Sequence, residues 1–243
     1  MTMIGVKAFD GSFINHMSIN TQTDAYQPLR EMKEHELIMM KKALDYKYDN
    51  SRILDIGCAD GLFASELSKR LPNALITGID ISSKLIDIAN AKNCQNCTFL
   101  VENAEKFEPD EKFNLIIASG ILSVFDNFQT ILEQWLKWLD HKGSLIIFGR
   151  FNSSDIDVKI SFRNNFTSSG WEGGLTSYSI QTIGRFLDHL GFKYEFSKFI
   201  FSGDLPKNED PIRTYTIKTE DGEKLVVNGA NLIAEHFFLT ITR

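Results

Sequence analysis

The chain has 243 residues, enough to bury a full core as one domain with insertions. Its 26 basic and 32 acidic side chains leave a formal net charge of −6 with no basic block, which argues against a nucleic-acid partner. No N-terminal stretch reads as a signal peptide and no apolar run is long enough to span a bilayer, so a cytoplasmic protein with no membrane partner is expected.

Residues 1–28 show little periodicity and read as an N-terminal arm that carries His16 and Tyr26. A helix is expected over 29–44, with Met32, Leu37, Met40 and Leu44 on its apolar stripe and His35 solvated among charges. The stretch that organises the rest follows at Arg52. A short apolar run (Ile53, Leu54, Ile56) predicts a buried strand over 52–57, and Gly57 and Gly61 interrupt it. Leu62, Phe63, Leu67 and Leu71 then recur at helical spacing, and Pro72 marks the stop. Strand, glycine turn and helix together bring backbone N–H groups and a helix N-terminus up to a ligand.

The order Gly57-x-Ala59-x-Gly61 lacks the third glycine of a dinucleotide fingerprint, and Asp55 would repel a pyrophosphate. A carboxylate there suits a ligand carrying an ammonium group. A second strand, expected over 74–80, ends in Asp80, where a carboxylate can accept hydrogen bonds from ribose hydroxyls.

The pattern then alternates: helix 83–91, strand 98–101, strand 113–119, helix 127–139 and strand 143–150. This alternation predicts an α/β fold with a mostly parallel sheet, helices on both faces and a ligand at the strands' C-terminal ends. Cys94 and Cys97 form a lone C-x-x-C with no second pair at zinc spacing, and they read as two ordinary thiols of a reducing compartment. Cys58 needs only to be a small apolar residue in the turn. From Phe151 to Thr176 a polar insertion carrying Trp171 breaks the pattern, as substrate-binding loops do. A helix over 179–189, a strand over 192–201, a hairpin over 212–229 and a last strand over 236–242 complete the chain.

Four motifs in order, from about Ser51 to Phe151, resemble the class I S-adenosylmethionine-dependent methyltransferases, in the small-molecule branch whose first motif reads roughly L-D-I-G-C-x-x-G. The resemblance implies a Rossmann-like, seven-stranded sheet with an antiparallel last strand, the hairpin being inserted before it. It implies S-adenosylmethionine as cofactor: Asp55, Gly57, Cys58 and Ala59 at the methionine part, and Asp80 with Ile81 at the ribose. Asn103 and Ala104 would lie at the adenine, with Ala118 and Ser119 beside the methyl-donor pocket. Tyr26 and Arg30 are lid candidates, one covering the sulfonium and the other pairing with the cofactor carboxylate.

One methyltransferase domain is expected: an N-terminal lid and helix (1–48), a cofactor core (49–151), and a substrate-side insertion, hairpin and last strand (152–243). An oxygen acceptor would need a base. Many small-molecule members carry a histidine just after the fourth strand, where this chain has Ser123. The remaining candidates are His16 and His236, ahead of Tyr178 and Asp155. No metal-ligand cluster is visible. The reading is methyl transfer to a small molecule, favouring a hydroxyl of a sugar, glycan precursor or natural product. Open alternatives are methylation of protein or RNA, a nucleotide-dependent oxidoreductase, and a non-catalytic module. The hairpin is expected to wall the substrate pocket or to make a homodimer contact.

Overall fold

A computed structural model of the protein describes residues 31–45, 50–163, 170–207, 214–228 and 232–243. The lid candidates Tyr26 and Arg30 and the catalytic candidate His16 lie outside the described residues.

The strands β1 (Arg52–Ile56), β2 (Leu75–Asp80), β3 (Cys97–Val101), β4 (Phe113–Ser119) and β5 (Leu139–Asn152) are followed by β6 (Val158–Phe162), β7 (Glu172–Ser179), β8 (Lys193–Phe199), β9 (Thr214–Lys218), β10 (Lys224–Asn228) and β11 (His236–Thr242). The helices are α1 (Glu34–Asp45), α2 (Leu62–Arg70), α3 (Ser83–Asn90), α4 (Phe128–Trp138) and α5 (Ile180–Leu190). The main sheet runs β3-β2-β1-β4-β5-β11-β8. Strands β1 to β5 are parallel, and β11 is inserted antiparallel between β5 and β8. This is the expected Rossmann-like arrangement of seven strands with a reversed last strand.

The strands read as apolar runs because both faces are covered. Leu54, Ile56, Ile116 and Ile147 pack with Leu132 and Trp135 of α4 and Leu187 of α5. Ile53, Ile76, Leu115 and Ile117 face the other way, onto Met39 of α1, Leu67 of α2 and Ile86 of α3. Helix starts follow local chemistry. Ser82 accepts from Leu85 N (3.4 Å), Asn127 from Gln129 N (3.0 Å) and Ser179 from Gln181 N (3.1 Å), each satisfying an otherwise orphaned donor.

The structure corrects five sequence expectations. Helix α1 begins at Glu34 rather than 29, because Glu36 reaches back to accept from Lys33 N at 2.6 Å and so fixes the first turn. Its buried face is Glu36, Met39, Met40 and Ala43, which leaves Leu37 and Leu44 exposed. His35 is not solvated: its ring stacks on Phe148 with centroids 4.3 Å apart. The polar insertion contains an antiparallel hairpin, β6 with β7, and β7 joins the end of β5. Its first strand alternates as Val158, Ile160 and Phe162 around Lys159 and Ser161, a five-residue signal inside an otherwise polar stretch. Polar ties also hold it, from Asn152 Nδ2 to Ser177 O (3.2 Å) and from Ser179 N to Asp157 Oδ1 (2.8 Å). Finally, Cys94 and Cys97 are joined as a disulfide across the turn before β3, so they are not free thiols.

The hairpin expected before the last strand is present as β9 and β10, a separate two-stranded sheet. It does not line the cavity described below.

Candidate active site

A cavity of about 290 Å³ runs along the C-terminal edge of the parallel strands. Its lining follows the strand order. Glu102, Asn103 and Ala104 come after β3, Asp80 and Ile81 from the end of β2, and Gly57 and Ala59 from the turn after β1. Ser119, Gly120 and Ile121 follow β4, with Ser123 and Phe125 just beyond. Phe148, Gly149 and Arg150 lie on β5, and His236 opens β11. Because β11 is reversed, its first residue falls at the same edge as the last residues of its neighbours.

The turn after β1 is shaped for close approach. Gly57 has φ +71°, a left-handed conformation that side chains resist, and an added Cβ would come within 2.9 Å of Ile121 Cδ1. Gly57 N and Cys58 N both donate to Ile79 O, at 2.8 and 3.0 Å, which fastens the turn to β2. Asp80 completes the frame: Oδ2 accepts from Ala59 N (3.0 Å) and Oδ1 from Ser82 N (2.9 Å). Burial raises its pKa, and the backbone bonds from Ser82, Ala59 and Ile81 act against that rise. Each oxygen keeps a second lone pair for a hydroxyl of a ligand. Asn103 is likewise preset, with Oδ1 accepting from Glu105 N at 2.8 Å.

Two expected cofactor residues stand behind the lining. Cys58 is buried against the sheet, and burial holds its thiol in the protonated form. Asp55 is 4 % exposed beneath the turn, and its Oδ2 has no hydrogen-bond partner. Burial, reinforced by the charges of Glu36, Asp80 and Asp60, raises its pKa to about 7. Such an orphaned carboxylate creates a negative field that a ligand ammonium would relieve. Ala118 is fully buried in the sheet, whereas Ser119 reaches the cavity.

His236 lines the far end. Its Nδ1 lies 3.1 Å from Ala234 O, so the ring donates there and carries its lone pair on Nε2. Burial, then the charge of Arg150 and that of His35, lower its pKa to about 4, which the bond to Ala234 only partly opposes. The ring stacks on Phe148 with centroids 5.6 Å apart, so Phe148 stacks with both His35 and His236. The lesser candidates have structural roles. Tyr178 OH donates to Phe125 O (3.0 Å), and Asp155 pairs with Arg185 at the surface. Arg150, Phe148 and Glu102 were not singled out from sequence. Each is an ordinary residue at the end of a strand, and only the topology turns it toward the ligand edge. Among the described residues, no group of three or more His, Cys, Asp or Glu side chains is placed to hold a metal ion.

The geometry suits a nucleoside bearing an amino-acid tail: a backbone cradle without side chains, a carboxylate at the second strand, and small polar groups after the third and fourth. The solved structure of the plantazolicin methyltransferase BpumL, in complex with a triazolic desmethylPZN analog and SAH, superposes with a TM-score of 0.58 at 19% identity, covering 93% of this chain and 91% of that one. The N-methyltransferase NodS from Bradyrhizobium japonicum, in complex with S-adenosyl-L-homocysteine, gives a TM-score of 0.55 at 15% identity, covering 95% of this chain and 98% of that one. These two likenesses show the fold. A malonyl-(acyl-carrier protein) O-methyltransferase from Bacillus cereus is 27% identical over 146 residues, 60% of this chain and 51% of that protein. The chain spans about half the length of the curated relatives it matches. A family model described as a methyltransferase domain matches residues 47–173, more than half of the chain, which therefore belongs to that S-adenosylmethionine-dependent family.

Proposed function

We propose that this chain transfers a methyl group from S-adenosylmethionine to an oxygen of a small molecule held at the β5–β11 end of the cavity. The observation that carries this reading is the continuity of the cavity. One space joins the glycine turn and Asp80, at the ends of β1 and β2, to Arg150 and His236 on β5 and β11, with β4 between them. With strands about 4.8 Å apart, a nucleoside seated over β2 and β1 leaves the β5–β11 end for a second molecule.

In this reading Gly57 and Ala59 present backbone to the methionine part, and Asp55 supplies the negative field for its ammonium group. Asp80 and Ile81 hold the ribose, and Asn103 with Ala104 flanks the adenine. Ser119 stands beside the methyl-donor pocket. When bound, S-adenosylmethionine supplies an electrophilic methyl on a positively charged sulfur. The protein's share is alignment and exclusion of water, which can lower the barrier by several kcal/mol.

An oxygen acceptor is supported by the relatives, which are O-methyltransferases. The net charge of −6 speaks against RNA as the acceptor. A hydroxyl of a sugar or natural product and a carboxylate are the oxygen classes to separate.

The test is calorimetric titration of the purified protein with S-adenosylmethionine and, separately, NADH. Binding of the first alone, followed by formation of S-adenosylhomocysteine in the presence of oxygen acceptors, is the expected result. Binding of NADH alone would overturn the proposal. Cofactor binding with no turnover across hydroxyl and carboxyl acceptors would reduce the chain to a binding module.

A further inference from the structure

We infer that Arg150 is the anion-recognition residue of the acceptor site and that the acceptor presents a carboxylate to it. The inference rests on the methyl-transfer reading above and names its acceptor class.

Arg150 stands apart from the other described arginines. Arg52, Arg70 and Arg185 pair with carboxylates, and Arg163 and Arg243 lie over aromatic rings. Arg150 does neither among the described residues, although it is largely buried in the cavity wall. Burial lowers its pKa to about 10, so it remains a cation at neutral pH. A desolvated, uncompensated charge costs several kcal/mol, a cost that a ligand anion would offset.

Among the described residues, the surroundings offer no internal partner. Arg150 sits directly opposite His236 in the β5–β11 register, with Phe148 two residues back on the same face. The ring opposite it, His236, offers no negative charge. Glu235, which precedes the facing residue His236, is committed to Lys198 and Ser153. The cofactor itself brings a positive sulfur, so an anion between the two cations balances both.

A carboxylate also resolves the missing base. His236, neutral with a pKa near 4, is too weak to deprotonate a hydroxyl. A carboxylate is already ionised at neutral pH. Its oxygen lone pair forms the new C–O bond, the S–CH₃ electron pair stays on sulfur to leave a thioether, and no proton moves. A single guanidinium matches the two oxygens of a carboxylate as a bidentate pair. A phosphate, with more charge and more oxygens, would call for further cationic donors, and Arg150 is the one Lys or Arg lining the cavity among the described residues.

The experiment loads the full chain with S-adenosylhomocysteine and titrates butyrate, octanoate and monoethyl malonate, each against its neutral amide, together with inorganic phosphate. We expect at least one carboxylate to saturate and its amide not to. In Arg150→Met that carboxylate should lose affinity about tenfold or more, with S-adenosylhomocysteine affinity and circular dichroism unchanged. Arg150→Lys, which keeps charge but not the planar fork, should fall between. The inference is overturned if no carboxylate binds, if Arg150→Met binds it as well as the wild type, or if phosphate binds more tightly. Loss of S-adenosylhomocysteine binding in a folded Arg150→Met protein would also overturn it, by placing Arg150 at the cofactor. Failure of the wild type to bind S-adenosylhomocysteine would instead sink the methyl-transfer reading.

Discussion

Arg150 and His236 are register partners on β5 and β11, two strands that run in opposite directions. Directly opposed residues on an antiparallel pair point to the same face with Cβ atoms about 5 Å apart. The reversal of β11 therefore brings the first residue of one strand beside the far end of another, and both enter one cavity. Neither residue needs a loop to aim it. The sheet itself supplies the rigidity that an acceptor site requires.

Asp80 is the simplest residue to test. Its carboxylate holds Ala59 N and Ser82 N while facing the cavity, so Asp80→Ala removes both a turn anchor and an acceptor for ribose hydroxyls. Cofactor binding should weaken by about 1–3 kcal/mol, roughly 5- to 150-fold. Calorimetry with S-adenosylmethionine checks this, and unchanged affinity would remove Asp80 from the site.

Gly57→Val should abolish cofactor binding while leaving the sheet folded. The positive φ disfavours any side chain, and the Cβ would crowd Ile121 at 2.9 Å. The expected result is native circular dichroism with no binding heat. A variant that binds normally would mean the ligand does not approach this backbone.

Much of the parallel half of the fold was legible because its strands are buried on both faces. Such strands leave unbroken apolar runs, as at Leu115–Ile117, and the glycine turn between Ile56 and Leu62 leaves a pattern of small residues. The β6–β7 hairpin was missed although Val158, Ile160 and Phe162 alternate, because its second strand, with Gly173, Gly174, Thr176 and Ser177, carries no matching pattern and polar ties from Asn152 and Asp157 help to hold it. The face of α1 was misread for a different reason. Glu36 is buried, and a charged residue on the core side defeats a stripe counted from apolar residues alone. Arg150 could not be recognised as special from sequence, because what distinguishes it is the lack of a partner among the described residues, which only the fold reveals.

His236→Gln separates two roles for this ring. If His236 only accepts a hydrogen bond, the amide can substitute and turnover should fall less than about tenfold, with cofactor affinity intact. A general base contributes about 10²–10⁴ in rate. A hundredfold loss, with a pH dependence that disappears along with the ring, would make His236 the base and would favour a hydroxyl acceptor.

Asp55 and His236 impose opposite pH dependences on stability, and removing either should expose the other. The folded pKa of Asp55 is about 7, above the ordinary aspartate value of 3.8. Between those values the native state holds a proton that the unfolded chain has lost, so stability falls as pH rises through the window. The folded pKa of His236 is about 4, below the ordinary histidine value of 6.5. Between those values the unfolded chain holds the extra proton, so this contribution is lost as pH falls from 6.5 toward 4. The two slopes have opposite sign and largely cancel in the wild type. In Asp55→Asn only the histidine remains, and stability from this pair should rise with pH from 4 to 6.5. Above pH 7 the same variant should be more stable than wild type, since an ionised buried carboxylate is gone. In His236→Phe, which keeps an aromatic ring against Phe148, stability should fall as pH rises from 4 to 7. Urea unfolding at pH 4.5, 5.5, 6.5 and 7.5 measures all three proteins. Parallel curves for wild type and both variants would mean that neither group titrates as its burial requires.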